Sequence, residues 1–468
     1  MSHAVLTGTI VTAHRSPFRG EIRIRDGVIV SLTEESAIGG QGRNYWSPSP
    51  GSVTTLTPNC IILPGFVDVH VHSSSLGTEG LAKATAAAAA GGVTTMIDMP
   101  YDVPAPINRP ELLVAKAQRI AAEAFVDVAL LATVAPGEGG ELVPELVAAG
   151  ACGIMVSLWE QNSSRYPRIE YAQLRKIFEK AASAGGVVSM HPETDAIIRP
   201  LLEEALRKAD QKDWRLHAAT RPPVSETHAA VTGMEFALEA GARVHLHQLS
   251  QARSFDLVER YREEGTQASG ETIVHHLLFQ ENDLATHGGR VKINPPLRSA
   301  ANREALWQRL AAGQLSIVAS DHSPWPLGQK THPEILQNQS GMPGLDTFPS
   351  VLLSEAMRRD VSLSRIAQVC ALTPARTFGL SESKGDIRPG LDADLIVFDP
   401  DAEWTVDRAA LQTSAGWDPY EERPIRGRVV MNMVRGRVVW DGKRVLARPG
   451  WGRWAKQLTK EHCNERHV

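Results

Sequence analysis

The stretch LPGFVDVHVHSSSLGTEG, Leu63 to Gly80, places His70 and His72 one residue apart at the end of a short apolar run. Side chains at i and i+2 of a strand share a face, so two imidazoles there can grip one ion. Similar placements recur down the chain. GGVVSMH ends in His191, ARVHLHQLS carries His245 and His247, and LSIVASDH ends in Asp321 and His322. Neutral imidazole and carboxylate suit zinc and related divalent metals. A bound ion lowers the pKa of a coordinated water to about 7 and so makes hydroxide near neutrality. A carboxylate beside that water can take its proton and pass it to a leaving group. Asp321 is the candidate for this shuttle. His322, its neighbour on an extended strand, points the other way and is expected to support the site from behind.

Such residues need a scaffold that brings strand ends together. From about Ile61, short apolar runs (GVTTMIDM, VDVALLATV, GACGIMVSL, GGVVSMH, LSIVASDH) alternate with helical stretches such as AQLRKIFEKAASA and NREALWQRLAAG. This alternation argues for an α/β fold, a (β/α)8 TIM barrel, whose chemistry sits at the C-terminal ends of its strands. Both chain ends read instead as short strands. EIRIRDGVIVSL turns at Asp26-Gly27, and IRGRVVMNMVRGRVVWDGKRV is expected to turn at Asp441-Gly442. Residues 1–60 and 385–450 are therefore expected to form one small β-sandwich domain. Residues 61–384 are expected to form the barrel and 451–468 a C-terminal tail. IGGQGRNYWSPSPGS, rich in Gly, Pro and Ser, reads as a surface loop.

Bulk properties exclude several classes. The 468 residues, 43% of them apolar, suffice for a large core. A net charge of −4 gives no basic face for nucleic acid or a membrane surface. The four cysteines (Cys60, Cys152, Cys370, Cys463) form no CxxC pair, which fits a reducing cytoplasm. No stretch reads as a signal peptide or membrane span. A cytoplasmic protein with a small-molecule partner is expected.

Taken together the motifs resemble the amidohydrolase superfamily, and within it the cyclic amidohydrolases: allantoinase, hydantoinase/dihydropyrimidinase and dihydroorotase. PGFVDVHVH is similar to the family's opening metal motif, and AAAAAGGVTTMIDMP to the helix and strand that follow. SMHPE, HLHQLS, KINPPLR, VASDHSPWP, GMPGLDT and GDIRPGLDADLIVFDP are similar to later motifs, and SDHSP and TRPPVSE stand nearest allantoinase. The resemblance implies hydrolysis of a cyclic amide or ureide ring, allantoin- or hydantoin-like, on a zinc-type centre. His70, His72 and Asp321 would hold one ion, and His191 and His247 a second, bridged by a carboxylated lysine. It implies substrate contacts from Asn294 and from the backbone at Gly341 and Gly344. It also implies a supporting role for His275, and a homo-oligomer, dimer or tetramer.

The chain departs from that pattern. Aligned on Gly150 and Gly153, the bridging position holds Met155, which cannot be carboxylated. The centre is then expected to carry one ion, or two joined by hydroxide or by a carboxylate such as Glu160. One ion would allow deaminase-type chemistry on another C–N bond, and a silent scaffold is the remaining alternative. Ser74 stands where dihydroorotases carry an arginine two residues past the histidine pair. The Ser73–Ser75 run points to a neutral polar ring, with Ser74 as a substrate contact. Trp325 is expected to wall the pocket, and Asp98 to stand behind it. His245 is expected to pack within its strand, and His217 and His228 to lie on the surface.

Overall fold

A computed structural model of the chain describes residues 3–35, 44–49, 52–135, 137–207 and 212–456. The N-terminal strands are β1 (His3–Ile10), β2 (Phe18–Arg25), β3 (Val28–Glu34), β4 (Tyr45–Ser49), β5 (Ser52–Thr55) and β6 (Ile61–Pro64). Along β1 burial alternates, with Ala4, Leu6 and Ile10 inward, as a half-covered sheet requires. Asp26 and Gly27 both take positive φ, 50° and 86°, the pair of angles that joins β2 to β3 in a tight hairpin. Part of the expected surface loop is strand instead: β4 pairs with β1, and Trp46 is buried opposite Leu6. Residues 38–43 and 50–51 of that stretch lie outside the described residues, as does Cys463.

Eight parallel strands follow: β7 (Phe66–Val71), β8 (Val93–Asp98), β9 (Asp127–Thr133), β10 (Gly153–Ser157), β11 (Val187–His191), β12 (Arg243–Leu246), β13 (Gln267–Ile273) and β14 (Ile317–Ala319). They pair in sequence order, and a bridge between Val71 and His322 joins the last to the first. The sheet is a (β/α)8 barrel. Strands β7 to β11 are buried at every residue, because helices cover one face and the barrel interior the other. Val69, Ile97, Leu131, Met155 and Ala319 share the interior cluster, while Phe66, Met96, Leu130, Val156 and Val318 belong to the larger core that includes the helices.

β15 (Leu395–Trp404), β16 (Ile425–Val434) and β17 (Arg437–Trp440) return to the first sheet. β15 pairs antiparallel with β6, Leu395 opposite Pro64, so the two chain ends share one nine-stranded sheet that forms the β-sandwich. That sheet includes β6 and so runs four residues past position 60. The turn between β16 and β17 is Arg435-Gly436, with φ of 48° and 71°. Asp441-Gly442, expected as a hairpin turn, makes the next turn, closed by an antiparallel bridge from Trp440 to Val445. After the sandwich, Arg453 and Ala455 hydrogen-bond to Val128 on the barrel. Among the described residues no helix is long and apolar enough to cross a membrane, and Cys60, Cys152 and Cys370 are buried free thiols.

Candidate metal centre

Two strand ends meet at the barrel mouth. His70 is the fifth residue of β7, His72 follows its last, and Asp321 stands two residues past the end of β14. The His72 amide donates to the His322 carbonyl at 3.0 Å, which locks the two ends together. Asp321 has φ of 50°, an angle uncommon outside glycine that swings its carboxylate over the mouth. Its Oδ1 lies 3.2 Å from His70 Nε2 and 3.5 Å from His72 Nε2. That oxygen is buried and accepts no hydrogen bond, while Oδ2 accepts one from Gln248 Nε2 at 2.7 Å. A buried carboxylate oxygen left without a donor is costly. Between two imidazole nitrogens, it fits a cation. His322 faces away, as expected: Nε2 meets Glu79 at 3.0 Å, and Nδ1 accepts from the amides of Gly344 and Leu345.

Behind the pair lies a carboxylate that the sequence reading did not find. Glu271 on β13 is fully buried. It takes His70 Nδ1 at 2.6 Å, His245 Nε2 at 3.1 Å and the Gln248 amide at 3.2 Å, with His247 Nδ1 at 3.1 Å. Although burial alone would raise it, the histidines hold this carboxyl well below the ordinary range. An anion on Nδ1 keeps the proton there and turns the Nε2 lone pair of His70 toward Asp321. Such outer carboxylates tune ligand basicity. Glu271→Gln is expected to weaken zinc binding by about 10–100-fold, read by competition with a chromophoric chelator. Unchanged affinity would reduce Glu271 to packing. His245, expected to pack within its strand, also takes Ser269 Oγ at 2.9 Å.

His191 and His247 do not come together as a second ligand pair. His247 Nδ1 lies 3.1 Å from Glu271, its ring is 4.8 Å from that of His70, and its Nε2 is buried without a partner. Burial pushes it down to about 3. Strand β12 ends at Leu246, and Gln248 has φ of 52°, so strand alternation no longer holds past that point. Gln248, rather than His247, meets His191: Oε1 lies 2.7 Å from His191 Nδ1. The other nitrogen of His191 is 2.9 Å from Glu193, which also takes Arg221 at 2.5 Å. Against its burial, Arg221 and His191 hold Glu193 at about 2. Met155 points into the barrel in one cluster with Tyr101, and Tyr166 packs against that cluster. The two rings stack at 3.7 Å. The space around the bridging position is thus filled by a thioether and two phenols. Glu160 does not curl back over the mouth: it is partly exposed, 3.9 Å from Arg199. Position 155 offers no ligand for a bridged ion; the ligand atoms of His70, His247 and Glu271 lie within 4.8 Å of one another, but Glu271 is already held by His70 and His245.

Residues 61–439 match the Amidohydrolase family. The chain belongs to that family. This amidohydrolase is 34% identical over 400 residues to an allantoinase of Rubrobacter xylanophilus, covering 85% of this chain and 87% of that protein. It is 35% identical over 396 residues to a dihydroorotase of Halobacterium salinarum, covering 83% and 88%. Among solved structures, it superposes on an L-hydantoinase (dihydropyrimidinase) from Arthrobacter aurescens with a TM-score of 0.87 at 26% identity, covering 96% and 98%.

The mouth of this amidohydrolase holds a cavity of about 90 Å³ above His72, His191, Gln248 and Asp321. Asn294, Gly341 and Trp325 line it, as the sequence suggested. Asn294 Oδ1 is buried without a partner. Gly341 has φ of 121°, and a Cβ there would stand 2.6 Å from that of Ser323, so only glycine brings the wall this close. Ser74 is not part of the wall. Its hydroxyl is 3.2 Å from that of Ser73, whose own Oγ donates to Asp98 at 2.5 Å. Ser75 lines the cavity instead and lies 3.0 Å from His72 Nδ1. His275 stands behind Gly344, with Nδ1 2.7 Å from the Tyr420 hydroxyl. His217 is buried against the Ile293 carbonyl at 2.7 Å, not on the surface, because Leu216–Thr220 packs inward. His228 is exposed.

Proposed function

We propose that this amidohydrolase opens a cyclic amide or ureide ring, allantoin or a hydantoin first, at a centre holding one divalent ion on His70, His72 and Asp321. The observation that carries this is the buried, donorless Oδ1 of Asp321 between two imidazole nitrogens. Two imidazoles and a carboxylate, with a position left for water, form a donor set that zinc takes at catalytic sites. Such an ion supplies Lewis acidity and a water of lowered pKa. The chain's own groups do the rest. Asp321, steadied by Gln248 through Oδ2, takes the proton as water adds to the ring carbonyl. It returns that proton to the ring nitrogen as the C–N bond breaks. Asn294, whose oxygen lacks a partner, accepts from a ring N–H. Trp325 and Gly341 confine the ring against the ion.

The test is turnover of allantoin, hydantoin and dihydrouracil by zinc-loaded protein, following ring opening and ammonia release in parallel. Ring opening without ammonia is expected. Ammonia in place of the opened ring would shift the reading to a deaminase, and no turnover with any ring would remove it.

A further inference from the structure

Among the described residues lining the cavity, Arg165 is the one lysine or arginine. It stands on the loop after β10, far in sequence from the histidine pair. Its placement is built. Asn162 Oδ1 accepts from the amides of Ser164 and Arg165, at 3.1 and 3.0 Å, and Asn162 pairs with Tyr166, closing a tight turn. Tyr166, the next residue, is pinned by its stack on Tyr101. Nη1 of Arg165 donates to two backbone carbonyls, Ser75 and Tyr101, each at 2.9 Å. Ser75 in turn bonds His72, so the guanidinium is tied to the ion-holding strand end. Nε and Nη2 have no partner among the described residues.

A guanidinium offers five donors in a planar fork. Anchoring one nitrogen by carbonyls leaves the others free and the plane fixed, which suits a carboxylate accepting two parallel bonds. Beside the ion-holding end, the wall adds amide, hydroxyl and indole groups from Gln161, Asn162, Asn294, Ser323, Ser340 and Trp325. These groups suit the uncharged ring. The serine run after His72 pointed to a neutral substrate; a loop 90 residues further on adds the positive charge.

We propose that Arg165 selects ring substrates that carry a carboxylate on a side arm, with the ring amide at Asp321 and the acid at the guanidinium. This rests on the ring-opening reading above. The test uses the zinc-loaded full chain with hydantoin-5-acetic acid and its primary amide, which share a shape and differ in charge. The acid is expected to have a kcat/KM about 10–100-fold above the amide, chiefly through KM, as a charge-assisted pair gives. In Arg165→Gln that ratio should fall to near one, and Arg165→Lys should restore part of it. A purely structural arginine would lower both substrates together and leave the ratio unmoved, which would overturn the proposal. So would equal handling of acid and amide by the unaltered protein. Should neither ring turn over, calorimetric binding decides. Tighter binding of the acid, lost in Arg165→Gln, upholds Arg165 while removing the ring-opening reading. Equal binding, or none, removes Arg165.

Discussion

Asp321→Asn is expected to lower ring-opening turnover by about 10²–10⁴-fold, the range a positioned proton-transfer group contributes. The amide keeps the shape of the carboxylate and can still accept from Gln248. It can neither take a proton near neutral pH nor place a charge between His70 and His72. Metal content should fall as well, so the assay belongs at saturating zinc, where loss of the shuttle is read apart from loss of the ion. His70→Ala is the companion variant. It removes an ion-holding group and leaves Glu271 buried with one donor fewer. Near-normal rates in both would sink the assignment of the centre.

The second large effect concerns ion count. Protein purified without chelator is expected to carry about one ion per chain by elemental analysis, and Met155→Lys should not raise that number. Three observations converge on this. Met155 lies in the apolar interior with Tyr101. Both nitrogens of His191 are taken, by Gln248 and Glu193. His247 sets Nδ1 3.1 Å from Glu271 and does not line the cavity. A lysine at 155 would meet Val69 and Leu131, and burying its amine there should cost at least about 1–3 kcal/mol, seen as a lowered Tm. Two equivalents in the unaltered protein would overturn the single-ion centre, as would a second ion gained by Met155→Lys.

Several residues could be read without coordinates for a simple reason. His70, His72 and Asp321 close apolar runs, and a parallel barrel places such run ends at one mouth. The barrel itself was legible because its strands are buried on both faces and so read as apolar runs. β13 is the exception. QASGETI lacks both an apolar run and a clean alternation. It is held by β12 and β14 on either side, and its Glu271 is satisfied by histidines from two other strands. Neither source of stability is local, and the carboxylate went unseen. Arg435-Gly436 shows the same limit on a smaller scale: it joins β16 to β17 without the Asn-Gly or Asp-Gly signal that marks such turns.

By itself the sequence determined the family, the barrel with its sandwich, the three residues that face one another across the mouth, and the absence of a lysine at 155. Motif resemblance carried the family and the departure at 155, while apolar runs and turn signals, each set by neighbours a few residues apart, carried the strands. Tertiary structure alone decided that Gln248 rather than His247 meets His191, because β12 ends at Leu246, before the alternation reaches His247. It alone decided that Tyr101 and Tyr166 fill the space beside Met155, and that Arg165 reaches a cavity whose wall is gathered from many loops. Those outcomes depend on where loops from distant strands cross, and no local pattern encodes that crossing.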